Sequence, residues 1–191
     1  MSTSDQTPVR IALIVSSVRS TRLADPLLAW LLDRLGPVDW LDVDVIDLAD
    51  VDLPPEKLVP GGTSPISERL SGADGFLVLT PEYNHSFPGS LKNAIDWHFD
   101  EWAYKPVAFV AYGAGSGGIR AVEQLRLIFP ELRATTVRSA VLLASPWAQL
   151  SHEGRFEPGG AAIAALDATL EELRWWATAL RDGRAGELVA P

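Results

Sequence analysis

The sequence contains no cysteine among its 191 residues. Disulfide frameworks, thiolate nucleophiles and cysteine-ligated metal centres are therefore excluded, and the absence of cysteine fits a cytoplasmic protein. No apolar run approaches the about 20 residues that a membrane-spanning helix requires. The first ten residues, MSTSDQTPVR, also lack the apolar segment of a secretory signal. We therefore expect a cytoplasmic protein without a membrane partner.

Basic residues are also few relative to acidic residues. Lys and Arg together number 16 against 25 Asp and Glu, so the net charge is −9. A surface of this sign disfavours nucleic acid and anionic membranes as partners, and an anionic ligand needs local basic groups to hold it. The histidines, His85, His98 and His152, lie on different predicted elements without the spacing of metal ligands, so no metal site is predicted.

What the sequence does contain is an alternation of apolar runs and helical patterns. The predicted strands are Arg10–Val15, Trp40–Leu48, Gly75–Leu79, Lys105–Tyr112 and Thr135–Leu143, and the predicted helices are Ala24–Leu35, Pro65–Ser71, Pro88–Phe99, Ser116–Phe129 and Ala161–Leu180. Strands separated by helices predict a parallel sheet covered on both faces, the doubly wound α/β class. We predict a single domain over residues 10–182, a flexible N-terminus over 1–9 and a loosely ordered tail over 183–191.

In such sheets ligands bind beyond the carboxyl ends of the strands, so the loops after strands one, three and four are the informative ones. The first of these loops is SSVRSTRLADP, residues 16–26. Hydroxyl and guanidinium groups directly before a helix are typical of a phosphate site. A solvated turn capped by Asp25 is the alternative. The loop lacks the glycines and the lysine of a P-loop, which argues against nucleoside triphosphate hydrolysis.

The loop after the fourth strand, GAGSGG, is rich in glycine. Gly113, Gly115 and Gly118 match the dinucleotide fingerprint, but that fingerprint belongs to a first strand–helix unit followed by an acid at the end of the next strand, and this sequence has none there. Ser116 is a near match to a hydrolase nucleophile, but the residues before His152 offer no convincing acid for a triad. A packing turn that leaves its backbone open to a flat ligand is the simplest interpretation.

The loop after the third strand, PEYNHSFPG, follows the very apolar run GFLVL. Pro81, Glu82, Tyr83 and Asn84 form a stiff turn whose backbone groups and tyrosine ring can lie along a planar heterocycle. Pro88 then begins the next helix.

The longer stretch PEYNHSFPGSLKNAIDW, Pro81–Trp97, resembles the signature of the NAD(P)H-dependent FMN reductase family, which also includes quinone, azo and chromate reductases. SSVRSTR is similar to the phosphate loop of that family, and KPVAFVAYGAGSGGIRAVEQLR extends the resemblance, which covers roughly residues 10 to 145. The resemblance implies a flavodoxin-like fold with the strand order 2-1-3-4-5, which also agrees with motifs after strands one, three and four. Ser16 departs from the family pattern, which usually has glycine at this position.

The resemblance also implies a set of FMN-binding residues. They are Ser17, Arg19, Thr21 and Arg22 at the phosphate, Pro81, Glu82, Tyr83 and Asn84 along the isoalloxazine ring, and Gly115, Ser116 and Gly117 at its other edge. Oriented N–H groups of residues 116–118, at the predicted helix start, are candidates to stabilise negative charge on the flavin. No side chain is expected to act as a catalytic acid or base.

The implied activity is that of an oxidoreductase in which NADPH or NADH transfers hydride to bound FMN. The flavin then reduces a quinone, a free flavin or another small acceptor. A flavodoxin-type electron carrier with little NAD(P)H oxidation is the rival interpretation. A hydrolase that uses Ser116 is a third interpretation, from a class without a redox cofactor.

The segment DWHFDEWAYK suggests self-association. A helix through Phe99 turns one stripe towards its own sheet, and Leu91, Ala94, Ile95 and His98 fit that stripe. Trp97 and Trp102 are then left for a second apolar surface, which favours a homodimer or homotetramer, as in related reductases. The alternative is that this segment folds back and buries the two rings within one chain.

Overall fold

Strands and α-helices alternate along the part of the chain that the structure, a computed structural model, describes: residues 7–54, 57, 59 and 62–186. The strands are β1 (Val9–Val15), β2 (Leu41–Asp47), β3 (Gly75–Pro81), β4 (Pro106–Gly113) and β5 (Thr135–Ala144), and the helices are α1 (Ala24–Leu35), α2 (Ser67–Ser71), α3 (Gly89–Trp97), α4 (Ile119–Ile128) and α5 (Gly160–Ala185). Each predicted strand and helix is present. None of the described helices is long and apolar enough to cross a membrane.

The strands form one parallel sheet in the order β2-β1-β3-β4-β5. This confirms the predicted fold class and strand order. Leu13 in β1 pairs with Val45 on one side and with Leu77 on the other, so β1 lies inside the sheet while β2 lies at an edge. The alternating sequence of β2 fits that edge position, because the faces of an edge strand are covered less completely, and most side chains of β2 are half-buried or exposed.

Helices cover both faces of the sheet, and each face has its own apolar core. Ile11, Leu13 and Val15 of β1 join the core formed with α1 and α5. Ala12 and Ile14 point to the opposite core, formed with α2, α3 and α4. Since successive strand residues point to opposite faces, a central strand buried on both sides must be apolar throughout, as the run RIALIV is.

The outer strand β5 contains an irregular stretch that α5 stabilises. Its register against β4 shifts between Val107 and Phe109, which leaves backbone N–H groups out of the ladder. The carboxylate of Glu172 accepts hydrogen bonds from the N–H groups of Arg138 and Ser139, each at 2.8 Å. The backbone N–H groups of the bulge therefore find their hydrogen-bond acceptors on the neighbouring helix rather than in the sheet.

The last helix is longer than predicted. It ends at Ala185 rather than Leu180, and so includes residues 183–185 of the predicted loose tail. Arg181 and Arg184 explain the extension, because both side chains bind the carboxylate of Asp74 at 3.3 Å. Residues 1–6 and 187–191, which the sequence predicts to be flexible or loosely ordered, lie outside the described residues.

The tryptophans that the sequence assigned to a second apolar surface are buried within the chain. Trp97 is 9% exposed and Trp102 is 0% exposed, so the prediction of an exposed surface formed by these rings is wrong. After α3 the chain turns back, and Trp102 packs against Phe76 at 4.5 Å and Phe129 at 5.4 Å between ring centres. The folded-back alternative is the observed one.

His98 belongs to the same buried region. It lies on the inward stripe that the sequence predicted, and it is 1% exposed. Its Nδ1 lies 2.7 Å from the carbonyl oxygen of Ala94, and its Nε2 lies 2.6 Å from the hydroxyl of Ser64. Burial lowers the pKa of His98, although the contact with Ala94 opposes this change. A neutral imidazole that donates to Ala94 and accepts from Ser64 satisfies both ring nitrogens, so His98 has a packing role.

Candidate functional site

The loops after β1, β3 and β4 meet at the carboxyl edge of the sheet and enclose a cleft of about 340 Å³. Its lining residues are Ser17, Arg19, Thr21, Arg22, Leu23, Pro81, Glu82, Tyr83, Tyr112, Gly113, Ala114 and Trp147. The predicted residues of the first loop and Pro81 to Tyr83 therefore share one cavity. Asn84, Gly115, Ser116 and Gly117 lie in the turns that border it and do not line it.

The first loop is joined to the third-strand loop by side chains. The hydroxyl of Ser17 lies 3.1 Å from that of Tyr83, within hydrogen-bond distance. The guanidinium carbon of Arg19 lies 4.2 Å from the centre of the Tyr83 ring, which is a cation–π contact. Arg19 forms no ion pair with the residues that the structure describes, so its charge is available to an anion that enters the cleft.

Arg22 is held differently, because two carboxylates already bind it. It forms two hydrogen bonds with Asp47 at the end of β2, one of them 2.7 Å long, and a third with Asp25 at 2.8 Å. The Asp47 hydrogen bonds raise the pKa of Arg22, although burial opposes them. Burial also acts to raise the pKa of Asp47, but hydrogen bonds from Arg22 and from the N–H of Ala49 outweigh it and lower the value. Both groups are therefore ionised.

The position of Arg22 fixes the shape of the first loop. Its guanidinium also donates to the carbonyl oxygen of Ser17 at 2.6 Å, which ties the two ends of the loop together. Ser16 precedes this turn and is fully buried. Its hydroxyl has no hydrogen-bond partner among the described residues, while its carbonyl accepts from Ser90 at 2.6 Å. The departure from glycine is therefore accommodated inside the protein.

The third-strand loop is a tight hairpin turn. Tyr83 and Ser86 exchange both backbone hydrogen bonds, at 2.8 and 3.0 Å, and the two residues between them, Asn84 and His85, have φ values of 50° and 70°. Positive φ at both central residues is typical of a type I′ turn, which Asn adopts readily and His more rarely. Gln124 on α4 stabilises the turn by binding both the Ser86 hydroxyl and the His85 carbonyl. The loop is therefore stiff, as the sequence predicted.

Glu82 connects this turn to the glycine-rich loop. Its carboxylate accepts hydrogen bonds from the Ser116 hydroxyl at 2.8 Å, the Arg120 backbone N–H at 3.2 Å and the Arg120 guanidinium at 2.9 Å. Burial acts to raise the pKa of Glu82, but the hydrogen bonds from Arg120 and Ser116 outweigh it and lower the value. Glu82 is thus a fixed anion that positions Ser116 and the start of α4.

The glycines of the fourth-strand loop have different roles. Gly117 and Gly118 have φ values of 63° and 91°, so they form a left-handed turn before α4, which begins at Ile119 rather than at Ser116 as predicted. A Cβ on Gly118 would lie 2.7 Å from both Ala111 Cβ and the Tyr112 nitrogen, so this position requires glycine for packing. A Cβ on Gly115 would meet nothing within 4 Å. No contact within the described chain requires that glycine, and its backbone is open to a ligand.

Sequence reasoning missed two aromatic residues of the cleft. Tyr112 is the penultimate residue of β4, directly before the GAGSGG loop, and burial raises its pKa, so its hydroxyl stays neutral. Trp147 follows β5 in a short 3-10 turn and is 53% exposed. The position of Tyr112 at the end of an apolar strand was a usable signal. Trp147 lies in a loop without a motif, so nothing in the sequence indicated its position in the cleft.

Together these groups suit a ligand that carries an anion at one end and a flat ring at the other. Ser17, Thr21 and the unpaired Arg19 offer donors beside the start of α1, where N–H groups favour an anion. The rest of the lining includes Pro81, the ring of Tyr83 and the backbone of Gly113 and Ala114, which can lie along a flat ring. The donor set thus fits a flavin mononucleotide, whose phosphate and ring system have these properties.

The same geometry argues against the hydrolase interpretation. The hydroxyl of Ser116 donates to Glu82, and no histidine of the described chain lies in hydrogen-bond contact with it. Serine hydrolases activate the nucleophile with a base, most often histidine, that accepts the serine proton. The buried anion at Glu82 is itself paired with Arg120, so it serves as an anchor.

Comparison with known proteins gives an independent result. The sequence model of the family described as NADPH-dependent FMN reductase matches residues 9–149. An NAD(P)H-dependent FMN reductase of Nectria sp is 38% identical over 131 residues, which cover 61% of this chain and 65% of that protein. The match therefore spans just under two thirds of the length of that relative. A 2-hydroxy-1,4-benzoquinone reductase of Burkholderia sp is 31% identical over 162 residues, 80% of this chain and 84% of that protein.

Solved structures agree on the fold. The flavoenzyme NAD(P)H:(acceptor) oxidoreductase FerB of Paracoccus denitrificans superposes with a TM-score of 0.69 at 22% identity, over 88% of this chain and 97% of that chain. An archaeal flavodoxin superposes with a TM-score of 0.56 at 12% identity, over 88% of this chain and 99% of that chain. At these identities the two structures show a shared flavodoxin-like fold.

Proposed function

The chain belongs to the NADPH-dependent FMN reductase family, and we propose that it is an oxidoreductase that uses NAD(P)H to reduce a small acceptor, with FMN as its bound cofactor. The observation that supports this most strongly is the meeting of the phosphate loop, the stiff Tyr83 turn and the open glycine turn around one cleft. The acceptors that we propose are quinones, free flavins or other small oxidants. The Burkholderia relative, a quinone reductase that the chain matches over most of its length, favours a quinone.

The first loop holds the phosphate in this proposal. Ser17, Thr21 and Arg19 supply donors, and Arg22 acts mainly by fixing the loop, since Asp47 and Asp25 already compensate its charge. The unpaired Arg19 then provides the local positive charge that an anion needs on a protein with a net charge of −9.

The other two loops orient the ring system. Pro81, Glu82, Tyr83 and Asn84 place the backbone of the I′ turn along one side, while Gly115, Ser116 and Gly117 border the other. When bound, FMN accepts two electrons from NAD(P)H and passes them to the acceptor. The protein contributes orientation, a partly enclosed apolar cleft and backbone N–H groups. We expect no cleft side chain to act as a general acid or base: the lowered pKa of Glu82 makes it a weak base, and the raised pKa of Tyr112 makes it a weak acid.

The test compares the enzyme with its closest rival, a flavodoxin-type electron carrier. The purified protein is loaded with FMN and mixed with NADPH or NADH in a stopped-flow instrument, and flavin absorbance is followed. Rapid bleaching followed by recovery on adding a quinone supports the enzyme, and ping-pong steady-state kinetics are expected because both substrates use one cleft. Bleaching that occurs only with a reduced protein partner would instead identify an electron carrier.

Assembly and location complete the proposal. We propose a homodimer or larger homo-oligomer in the cytoplasm, in line with the resemblance to related reductases and the absence of cysteine. Since Trp97 and Trp102 are buried, they do not form its contact surface. Light scattering after size exclusion is expected to give at least twice the chain mass of 20.7 kDa, and a monomer at micromolar concentration would reject the oligomer.

A further inference from the structure

Trp147 is a large apolar side chain that stands at the open side of the cleft. It lies in the 3-10 turn Pro146–Gln149 after β5, lines the cleft together with Tyr112 and Gly113, and is 53% exposed. An indole this exposed adds little to the stability of the core. Aromatic residues on ligand-facing surfaces often supply a flat contact area.

The backbone around Trp147 is held from both sides. Before it, the N–H of Ser145 donates to the carbonyl of Gly113 at 2.8 Å, and Ser145 has a φ of 47°, an uncommon value for a residue with a side chain. After it, Leu150 bridges to Phe156, whose ring packs against Trp30 at 5.4 Å between centres. The turn is therefore fixed to the end of β4 and to the α1 side of the core, and it presents the indole to the cleft without needing it for packing.

The size of the cleft indicates which kind of ligand the indole of Trp147 can contact. A volume of about 340 Å³ is at the small end of the about 300–1,000 Å³ of ligand pockets. A cofactor in a space of this size leaves room for a second planar molecule only on the solvent-facing side. Trp147 lines the cleft and is 53% exposed, so its indole is accessible from that side. The residues predicted to hold the cofactor, Pro81, Tyr83 and the first loop, line the rest of the same cleft.

We propose that Trp147 is a binding residue for the electron acceptor: its indole stacks on a planar aromatic quinone at the solvent-facing side of the cleft. This inference rests on the proposed function, because it assumes that a cofactor occupies the inner cleft. Offset stacking of two aromatic systems adds to the gain from burial alone, and removing the indole is expected to weaken quinone binding about five- to tenfold. Phenylalanine in place of tryptophan keeps a smaller flat surface and is expected to retain most of the binding.

The test measures quinone binding in the absence of turnover. The oxidised, FMN-loaded protein is titrated by calorimetry with 2-methyl-1,4-naphthoquinone in the absence of NAD(P)H, so that no electron transfer takes place. Because the chain has no cysteine, the quinone cannot add to a thiol. The variants are Trp147→Ala and Trp147→Phe. Trp175→Ala is the control, since Trp175 is 63% exposed on α5 and does not line the cleft.

The expected result is a quinone dissociation constant about five- to tenfold higher in Trp147→Ala, nearly unchanged in Trp147→Phe, and equal to wild type in Trp175→Ala. The dissociation constant for FMN, from flavin fluorescence, is expected to stay within about twofold of wild type. Equal quinone affinity in Trp147→Ala and Trp175→Ala would overturn the inference. So would a large loss of FMN affinity in Trp147→Ala, which would make the indole a wall of the cofactor site.

The two proposals can fail separately. A wild-type protein that binds FMN but does not oxidise NAD(P)H with the quinone would reject the proposed function, while the calorimetric comparison would still decide the role of Trp147. Melting curves of each FMN-loaded variant check that the fold is intact. If Trp147→Ala were unfolded, Trp147→Phe against Trp147→Leu would supply the aromatic comparison, and equal quinone affinity of the two would overturn the inference.

Discussion

Gly118 provides a sharp test of the packing at the carboxyl edge of the sheet. Its φ of 91° is one that L residues rarely adopt, and a Cβ there would lie 2.7 Å from Ala111 Cβ and from the Tyr112 nitrogen. A left-handed backbone costs an alanine about 1–2 kcal/mol, and forcing a methyl group into packed backbone adds about 1–3 kcal/mol. Gly118→Ala is therefore expected to lower the free energy of unfolding by about 3 kcal/mol.

Gly115→Ala is the matched control in the same loop. A Cβ at Gly115 would meet nothing within 4 Å, and its φ lies outside the left-handed region. An alanine at such a position restricts the unfolded chain, so the free energy of unfolding is expected to stay the same or to rise by up to about 1 kcal/mol. If the ring of FMN approaches this backbone, the same variant is expected to bind FMN more weakly.

The assay is urea unfolding of the FMN-free proteins, because a bound cofactor would add its own stabilisation. A loss of about 3 kcal/mol corresponds to a melting temperature roughly 6–12 °C lower in a chain of this length. A Gly118→Ala variant with the wild-type urea midpoint would refute the close approach of this turn to β4. Equal losses in both variants would show that packing requires a glycine at position 115 as well as at position 118.

Three further predictions concern the first loop and the aromatic segment. Arg19→Ala is expected to raise the FMN dissociation constant roughly tenfold or more, because a charge-assisted contact contributes about 1.5–3 kcal/mol. Wild-type FMN affinity of this variant in a fluorescence titration would exclude Arg19 from the phosphate site. Arg155→Ala, in an exposed loop, is the control. Asp47→Asn is expected to lower the free energy of unfolding by about 2 kcal/mol at pH 7, less than the loss of a fully buried ion pair, since both side chains are 13% exposed. The pKa of Asp47 is lowered in the folded protein, so its contribution to stability is complete above the unfolded pKa of about 3.9 and disappears as the pH falls through the folded pKa. Urea unfolding at several pH values should therefore show that the stability difference between wild type and Asp47→Asn narrows only in acid. A stability difference that narrows towards alkaline pH would contradict the ion pair of Asp47 with Arg22. Trp97→Ala is expected to lower the free energy of unfolding by about 3–5 kcal/mol because the ring is buried, whereas Phe99→Ala, at a half-exposed ring, should change it by less than about 0.5 kcal/mol. A Trp97→Ala variant that is monomeric and as stable as wild type would instead indicate that Trp97 lies in a subunit interface.

Much of the fold could be predicted because it depends on local patterns. Runs such as RIALIV and GFLVL are apolar at every position, which is what a strand covered on both faces requires, and each is followed by a helical pattern. The stiffness of the PEYN turn was also predictable, since the identities of its residues limit its backbone. The start of α4 was not predicted, because the left-handed turn at Gly117 and Gly118 depends on its close contact with distant strands: Gly117 lies against β5 and Gly118 against β4.

The sequence by itself determined the alternation of strands and helices, the doubly wound class and the three loops that meet at one edge of the sheet, because hydrophobic periodicity and turn residues act over a few neighbouring positions. Only the tertiary structure decided which groups are partners. Arg22 of the first loop is compensated by Asp47 at the end of β2, and Glu82 of the third-strand loop is paired with Arg120 on α4. Trp102 turns back into the core, whereas Trp147 is presented to the cleft. Such pairings depend on which distant segments the fold brings within a few ångströms of one another. What a charged group or an indole contributes to stability or binding depends on these spatial neighbours rather than on its neighbours in the chain.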